Sequence, residues 1–304
     1  MASLVSSHVN TGVEIQTHYS SIMPEQADTE LTGLFTRDLP DYVEEHIALS
    51  IPAVKAVLRK QRNENPDHEY VVLSHLPPSV VDCLVDQPNV LGKGTRLFYD
   101  ERWRKAILSL PSRPHEQTIS RIGQVVDTWC DTMGLLQSLD SIGASTTRDG
   151  PYRKEPDGSW VPETLPPGRT LKWPSMVLEV GYSESLRRLH VDANWWLCRS
   201  LGEVKTVVLI SINRVEREIT VETWIPDIDG IPLRGIRTCP TKRHQNLTIR
   251  GDHHNVVVNG APLVIKFSDV FLRPPQNPQE VDLNISAQTL TAIALKVWKW
   301  QNFT

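Results

Sequence analysis

The stretch Trp173-Pro-Ser-Met-Val-Leu-Glu-Val-Gly-Tyr-Ser-Glu-Ser185 decides how the rest of the chain is read. Met176 to Val180 is an apolar run too short for a helix and bounded by Pro174 and Gly181, which predicts a buried strand. Glu179 interrupts that run. An ionised carboxylate in a buried strand costs several kcal/mol unless something pairs with it. Glu179 therefore either forms a structural salt bridge with an arginine of the next helix or belongs to a site. Downstream, Ser183 suits a helix cap, and Leu186, Leu189, Ala193, Trp196 and Leu197 fall on one helical face until Gly202 stops it. Val204 to Ile212 is again a buried strand, and Arg217 to Trp224 alternates as a half-exposed one.

Upstream, Ile119, Ile122, Val126, Trp129 and Met133 recur at three- and four-residue steps, one buried face of a helix of about five turns. Ser112 and Pro114 suit its N-terminus. Gln137 to Thr147 and Ser159 to Val161 read as strands around a polar loop, Arg148 to Asp157. The order helix, strand, strand, helix, strand, strand is an α/β core, in which the crossover rule makes the strand after the second helix parallel to the one before it. Leu247 to Phe267 offers further strands with Gly260 at a turn, and Ala287 to Trp298 a closing helix. Leu97 to Tyr99 and Ala106 to Leu110 form a hairpin or two strands, and Val43 to Cys83 is mostly helical. The expected organisation is a loose tail over 1–30, a mostly helical N-terminal extension over 31–95 and an α/β domain over 96–304.

The formal net charge of -4 gives no chain-wide basic field, so nucleic-acid binding needs a local patch. The four cysteines, Cys83, Cys130, Cys198 and Cys239, form no CxxC pair, which argues against zinc knuckles and disulfide scaffolds. Reduced thiols, no basic-then-apolar leader and no run of about eighteen apolar residues lead us to expect an intracellular protein of cytoplasm or nucleus, without a membrane span. A phosphate loop ending in Gly-Lys-Ser/Thr, a dinucleotide fingerprint, a His-Glu-x-x-His zinc motif and a Gly-x-Ser-x-Gly elbow are all missing.

The stretch Glu155-Pro-Asp-Gly-Ser-Trp160, the Trp173 to Ser185 segment and the Trp195-Trp196 helix together resemble an uncharacterised, mainly fungal family similar to restriction endonucleases. They are also similar to a large bacterial family of predicted nucleases of that PD-(D/E)XK superfamily. The resemblance spans roughly Leu97 to Val297. It implies a restriction-endonuclease-like mixed sheet flanked by helices, preceded here by a small helical preface. It further implies that Asp157 and Glu179 hold Mg2+, with Mn2+ as substitute, that the Val180 carbonyl adds a ligand, and that Glu116 joins the site. DNA or RNA would be the partner, and a homodimer the common assembly. Two oxygen acids suit a hard cation that polarises a phosphate and activates water. The pattern breaks at Gly181, where the superfamily has a lysine that stabilises the pentavalent phosphate. Arg188, with Asp192 one turn further along the next helix, is the expected substitute.

Plainer roles compete for each residue. Asp157 sits in a Pro-Asp-Gly sequence that any tight turn favours. Glu116 is favoured in a first helical turn by the helix dipole, although its spacing from Ile119 turns it toward the sheet. His115 is either a hydrogen-bonded wall histidine or a proton carrier. Of Trp195 and Trp196, one belongs in the core and the other on an adjoining segment. Arg234, Arg237, Lys242, Arg243 and Arg250 form the clearest basic cluster, a phosphate contact or a solvated edge. His253-His254 reads as a solvated turn. A metal-dependent nuclease and a catalytically silent nuclease fold that binds protein or nucleic acid are the two main expectations. A third is a different acid–base enzyme on the same sheet.

Overall fold

The computed structural model describes residues 35–66, 68–87, 90–92, 94–110, 112–182, 186–227, 239–252, 255–301 and 303. The expected tail over 1–30, the Ser183 cap, Arg234, Arg237 and the His253-His254 pair lie outside them. The chain divides at Phe35/Thr36, and all that follows concerns Thr36–Thr304.

The apolar run around Glu179 is β9 (Met176–Gly181), and every residue in it is buried. Its neighbours are β8 (Gly158–Pro162), antiparallel, and β10 (Thr206–Ile212), parallel. Between β9 and β10 the chain crosses over through helix α4 (Leu186–Arg199). The sheet continues antiparallel through β11 (Glu218–Pro226), β12 (Thr241–Gly251) and β13 (Val256–Asn259), and β5 (Leu139–Ser141) closes its other side. A right-handed crossover is the connection that lets a helix pack back on a twisted sheet between parallel strands. The result is a mixed α/β sheet flanked by helices, in which the strand after α4 is parallel to the strand before it, as the crossover rule led us to expect.

Alternation along β9 splits the core in two. Met176, Leu178 and Val180 join the cluster under α3 (Arg113–Thr132) and the closing helix α6 (Ala287–Trp300), with Ile122, Val126, Trp129, Ile293 and Val297. Val177 packs on the opposite side under α4, against Leu189, Ala193, Trp196 and Leu197. Ser112 caps α3 by accepting from the His115 N–H, and Pro114 occupies its first turn, where a missing N–H costs nothing. Gly202 takes φ +79° and donates to the Leu197 carbonyl, a left-handed stop for which glycine pays no steric penalty.

A second sheet lies beside the first: β1 (Glu45–Ile47), β2 (Tyr70–Ser74), β4 (Lys105–Ser109), β3 (Arg96–Asp100), β7 (Tyr152–Lys154) and β6 (Thr147–Asp149), in that order. One face packs on α1 (Ile51–Glu64) and α2 (Pro78–Asp86) through Val54, Leu58, Val81, Leu84, Val71, Leu73, Leu97 and Leu108. The region expected as mostly helical thus also contributes strands, and these share a sheet with strands beyond residue 95. The hairpin β6–β7 corrects the sequence reading more sharply, because its residues were expected to form a polar loop. Having left β7 at Lys154, the chain enters β8 at Gly158, so residues 155–157 carry it from one sheet to the other. A small ribbon, β14 (Leu263–Ile265) with β15 (Leu283–Ile285), and the short helix α5 (Phe267–Phe271) complete the fold. Among the described residues no helix is long and apolar enough to cross a membrane.

Candidate functional site

Asp157 stands at the sheet-to-sheet crossing, just before β8. Its Oδ2 accepts the Val180 N–H at 2.8 Å and lies 3.1 Å from His115 Nε2, and its Oδ1 lies 3.7 Å from Arg96 Nε. Burial alone would raise the Asp157 pKa, but His115, Arg96 and the Val180 N–H outweigh it and hold the carboxyl below its ordinary value. Burial likewise works against a charged His115, yet Asp157, Glu69 and Glu116 together raise its pKa. Asp157 and His115 are therefore a buried ion pair. The His115 Nδ1 makes no hydrogen bond with a described residue and lies 3.9 Å from Glu116 Oε1.

Glu179 projects to the α4 side of β9. Its Oε1 accepts the Trp196 indole N–H and lies 3.4 Å from Lys154 Nζ. Burial dominates its titration and, with Asp157 and Asp192 nearby, pushes the pKa up to about 7 against the pull of Lys154 and Trp196. Lys154 is the cation that sequence reasoning missed. It comes from β7, three residues before Asp157, and donates to Asp192 Oδ1 at 2.6 Å. Its Nζ also sits 4.5 Å from the centre of the Phe98 ring and 5.7 Å from that of Trp196. Burial would strip its charge, but Asp192 and Glu179 more than compensate and raise its pKa.

These groups converge on one cavity of about 40 Å³. The charged part of its wall is Arg96, Lys154, Glu155, Asp157, Glu179, Arg188 and Asp192, and Tyr70, Phe98 and Ile107 close it from the second sheet. At roughly 10–15 Å³ per probe-sized water position, it holds about three waters. Arg188 lines this cavity, with Nη2 3.2 Å from Asp192 Oδ1 and Nη1 donating to the Arg37 carbonyl. Val180 lines it too, and contributes an N–H to Asp157. Glu116 stays outside the wall: its side chain is 47% exposed, and it approaches Asp157 indirectly, through Arg96 Nη2 at 3.5 Å and His115 Nδ1 at 3.9 Å. The first turn of α3 aims His115, rather than Glu116, at Asp157.

Whether a divalent ion suits this cavity depends on the donors. Asp157 and Glu179 offer carboxylate oxygens, the hard donors magnesium prefers, and Mg2+ commonly takes only one or two protein carboxylates and fills its remaining positions with water and phosphate. A cation beside Glu179 would also relieve the burial and like-charge repulsion that raise its pKa. The donor set fits Mg2+ or Mn2+ on these grounds. It does not fit a site built from side chains alone, since among the described residues no group of three or more His, Cys, Asp or Glu is placed to hold an ion.

The described members of the basic cluster are each matched with an acid. Lys242 pairs with Asp227 at 2.7 Å, Arg243 with Glu222 at 2.9 Å and Arg250 with Glu218 at 2.8 Å. Trp196 is the core tryptophan, and Trp195 rests against Phe98, Tyr152 and Trp173.

No family model matches the chain, and no curated protein matches it. Among solved structures it is similar to a candidate nuclease of the DUF820 family from Anabaena variabilis, at 12% identity over 67% of this chain and 90% of that one, with a TM-score of 0.35.

Proposed function

We propose that this chain is a metal-dependent phosphodiesterase acting on nucleic acid, with Asp157 and Glu179 as the acids that hold Mg2+ or Mn2+ and Lys154 in place of the lysine missing at Gly181. One observation carries this: the buried Lys154 ammonium lies 3.4 Å from Glu179 Oε1 in the same cavity as Asp157. An acid pair with an adjacent ammonium is one set that supports phosphodiester hydrolysis, since the acids can hold a metal and the ammonium can stabilise charge that develops on the phosphate. A bound divalent ion would polarise the phosphate and lower the pKa of the attacking water.

The chain's own residues have distinct tasks. His115 and the Val180 N–H keep Asp157 ionised and fixed in direction. Lys154 faces the negative charge that grows on the phosphate oxygens, and Asp192 with Arg188 sets its position. Glu179 has a pKa of about 7 without a metal, and a divalent ion beside it would draw the group toward its ionised, ligating form. The wall formed by Tyr70, Phe98 and Ile107 must move outward to admit a phosphodiester, because the cavity is sized for water.

Purified protein incubated with DNA and RNA and either Mg2+ or Mn2+ should show metal-dependent cleavage that Glu179→Gln abolishes while circular dichroism stays unchanged. Cleavage that survives Glu179→Gln rejects the assignment. A second possibility, a catalytically silent nuclease fold, is favoured by one observation: Asp157 and Glu179 already face the protein cations His115, Arg96 and Lys154. For such a protein, calorimetric titration with Mn2+ gives no Asp157-dependent heat and no substrate is cut.

A further inference from the structure

We propose that the surface shared by α3 and α6 binds a single-stranded polynucleotide. The polymer class rests on the phosphodiesterase proposal, whereas the surface itself stands on separate residues. The two helices run antiparallel, so Trp300 at the end of α6 meets the start of α3. Its indole N–H donates to Gln117 Oε1 at 2.9 Å, and the Arg113 guanidinium lies 5.5 Å from its ring centre. Trp300 is 43% exposed, a large aromatic held at the surface by two residues of the helix that also carries His115.

Four cations lie along the two helices that meet there: Arg113 and Arg121 on α3, Lys296 and Lys299 on α6. None of the four forms an ion pair with a described residue. That sets them apart from Lys242, Arg243 and Arg250, each matched with an acid, in a chain whose formal net charge is -4. Arg121 and Lys296, one from each helix, line a groove of about 610 Å³ together with Trp129, Ile293 and Asp282. Asp282 has its own task there, since its Oδ1 accepts the Phe267 N–H. Of the exposed acids on α3, Glu116 lies in the first turn and faces Arg96 Nη2 at 3.5 Å, while Asp127 and Asp131 lie on the C-terminal half, away from Trp300. Arg113 and Arg121 are eight residues apart, about 12 Å along the helix axis, so the positive strip runs from beside His115 toward the groove.

Unpaired cations along a groove with an exposed aromatic at one end match the chemistry of a single strand. Phosphates follow the charge, and an unstacked base lies on the ring. A duplex keeps its bases stacked on one another and gains nothing from Trp300, which is why we assign a single strand.

The test is fluorescence anisotropy with a labelled single-stranded oligonucleotide, in EDTA so that nothing is cut, across a salt series. Replacing both lysines, Lys296→Ala with Lys299→Ala, should reduce the slope of log K against log salt by about 1.4, at roughly 0.7 per phosphate contact. Trp300→Ala should weaken binding about tenfold, and Trp300→Phe should restore most of it. An unlabelled duplex of equal length should compete poorly. Equal binding of duplex and single strand, or affinity and salt slope unchanged in these variants, overturns the proposal. Absent cleavage with this pattern of binding intact would defeat the phosphodiesterase and leave the surface standing. Metal-dependent cleavage with no effect of these variants would do the reverse.

Discussion

Glu179 and Glu222 occupy the same row of the main sheet, each opposite Leu209 on β10, and both lie under α4. Both are buried, yet they titrate in opposite directions. Glu222 accepts from His190 at 2.8 Å, Trp224 at 2.7 Å and Arg243 at 2.9 Å. Burial pushes its pKa up, but those three donors bring it below the ordinary value. Glu179 has Trp196 and a Lys154 shared with Asp192, and it has Asp157 as a like-charged neighbour, so burial prevails and the pKa rises to about 7. Burial alone therefore does not mark a site. The difference is whether the fold has supplied enough donors to satisfy the carboxylate, and at Glu179 it has left a deficit facing a cavity.

The largest expected consequence is catalytic. Glu179→Gln should lower metal-dependent cleavage by about 10²- to 10⁴-fold, whereas Glu222→Gln should leave kcat/KM within about threefold, as measured on a labelled oligonucleotide. Equal losses in the two variants would erase the distinction. Next comes Lys154→Met, which leaves Glu179 and Asp192 buried without their shared cation and should cost about 3–5 kcal/mol in urea unfolding. Adding Glu179→Gln should recover part of that loss, because one of the two stranded charges is gone. Glu222→Gln should cost about 1–3 kcal/mol through its weakened bonds to Arg243 and His190, and a neutral result would show that those contacts are idle.

The smallest effect is in the pH dependence, and its sign separates the two carboxylates. The folded-state pKa of Glu179 is about 7 against 4.5 for the free group, so the native state holds more protons than the unfolded state between those values and stability falls as pH rises. Between pH 6 and 8 that amounts to about 1 kcal/mol. His115, also raised, loses its contribution in the same direction, so the informative quantity is the difference between wild type and Glu179→Gln, which should carry the Glu179 share. Glu222, being lowered, contributes stability above the ordinary glutamate pKa that disappears as pH falls into the acid range. Urea unfolding of the three proteins from pH 3 to 8 should show these opposite slopes, that of Glu222 below about pH 4.5, and parallel curves would contradict both assignments.

Much of this was legible beforehand for a local reason. A carboxylate inside Met176 to Val180 breaks a pattern that burial imposes, and the helix after β9 follows from the periodicity of its residues. Gly202 announced the end of α4 because few other residues accept φ +79° without strain. Lys154 was not legible. Arg148 to Asp157 is polar enough to pass for a loop, and it forms the β6–β7 hairpin by pairing with β3, which lies some fifty residues earlier in the chain. Arg96 reaches Asp157 across a similar separation, and no local pattern records such a meeting. Glu116 and His115 are adjacent in sequence, and the direction in which α3 presents them decided between the two: His115 inward to Asp157, Glu116 outward to Arg96.

The amino-acid sequence by itself determined that Glu179 would be a charged residue within a hydrophobic strand next to an acid-bearing turn, since side-chain periodicity follows from backbone geometry alone. Which cation would meet it was settled by tertiary structure. That cation is Lys154, because residues 155–157 bridge the two sheets and bring the end of β7 against Asp192 and Glu179. Electrostatic partnership depends on distance in space, and that distance exists only once the two sheets have packed.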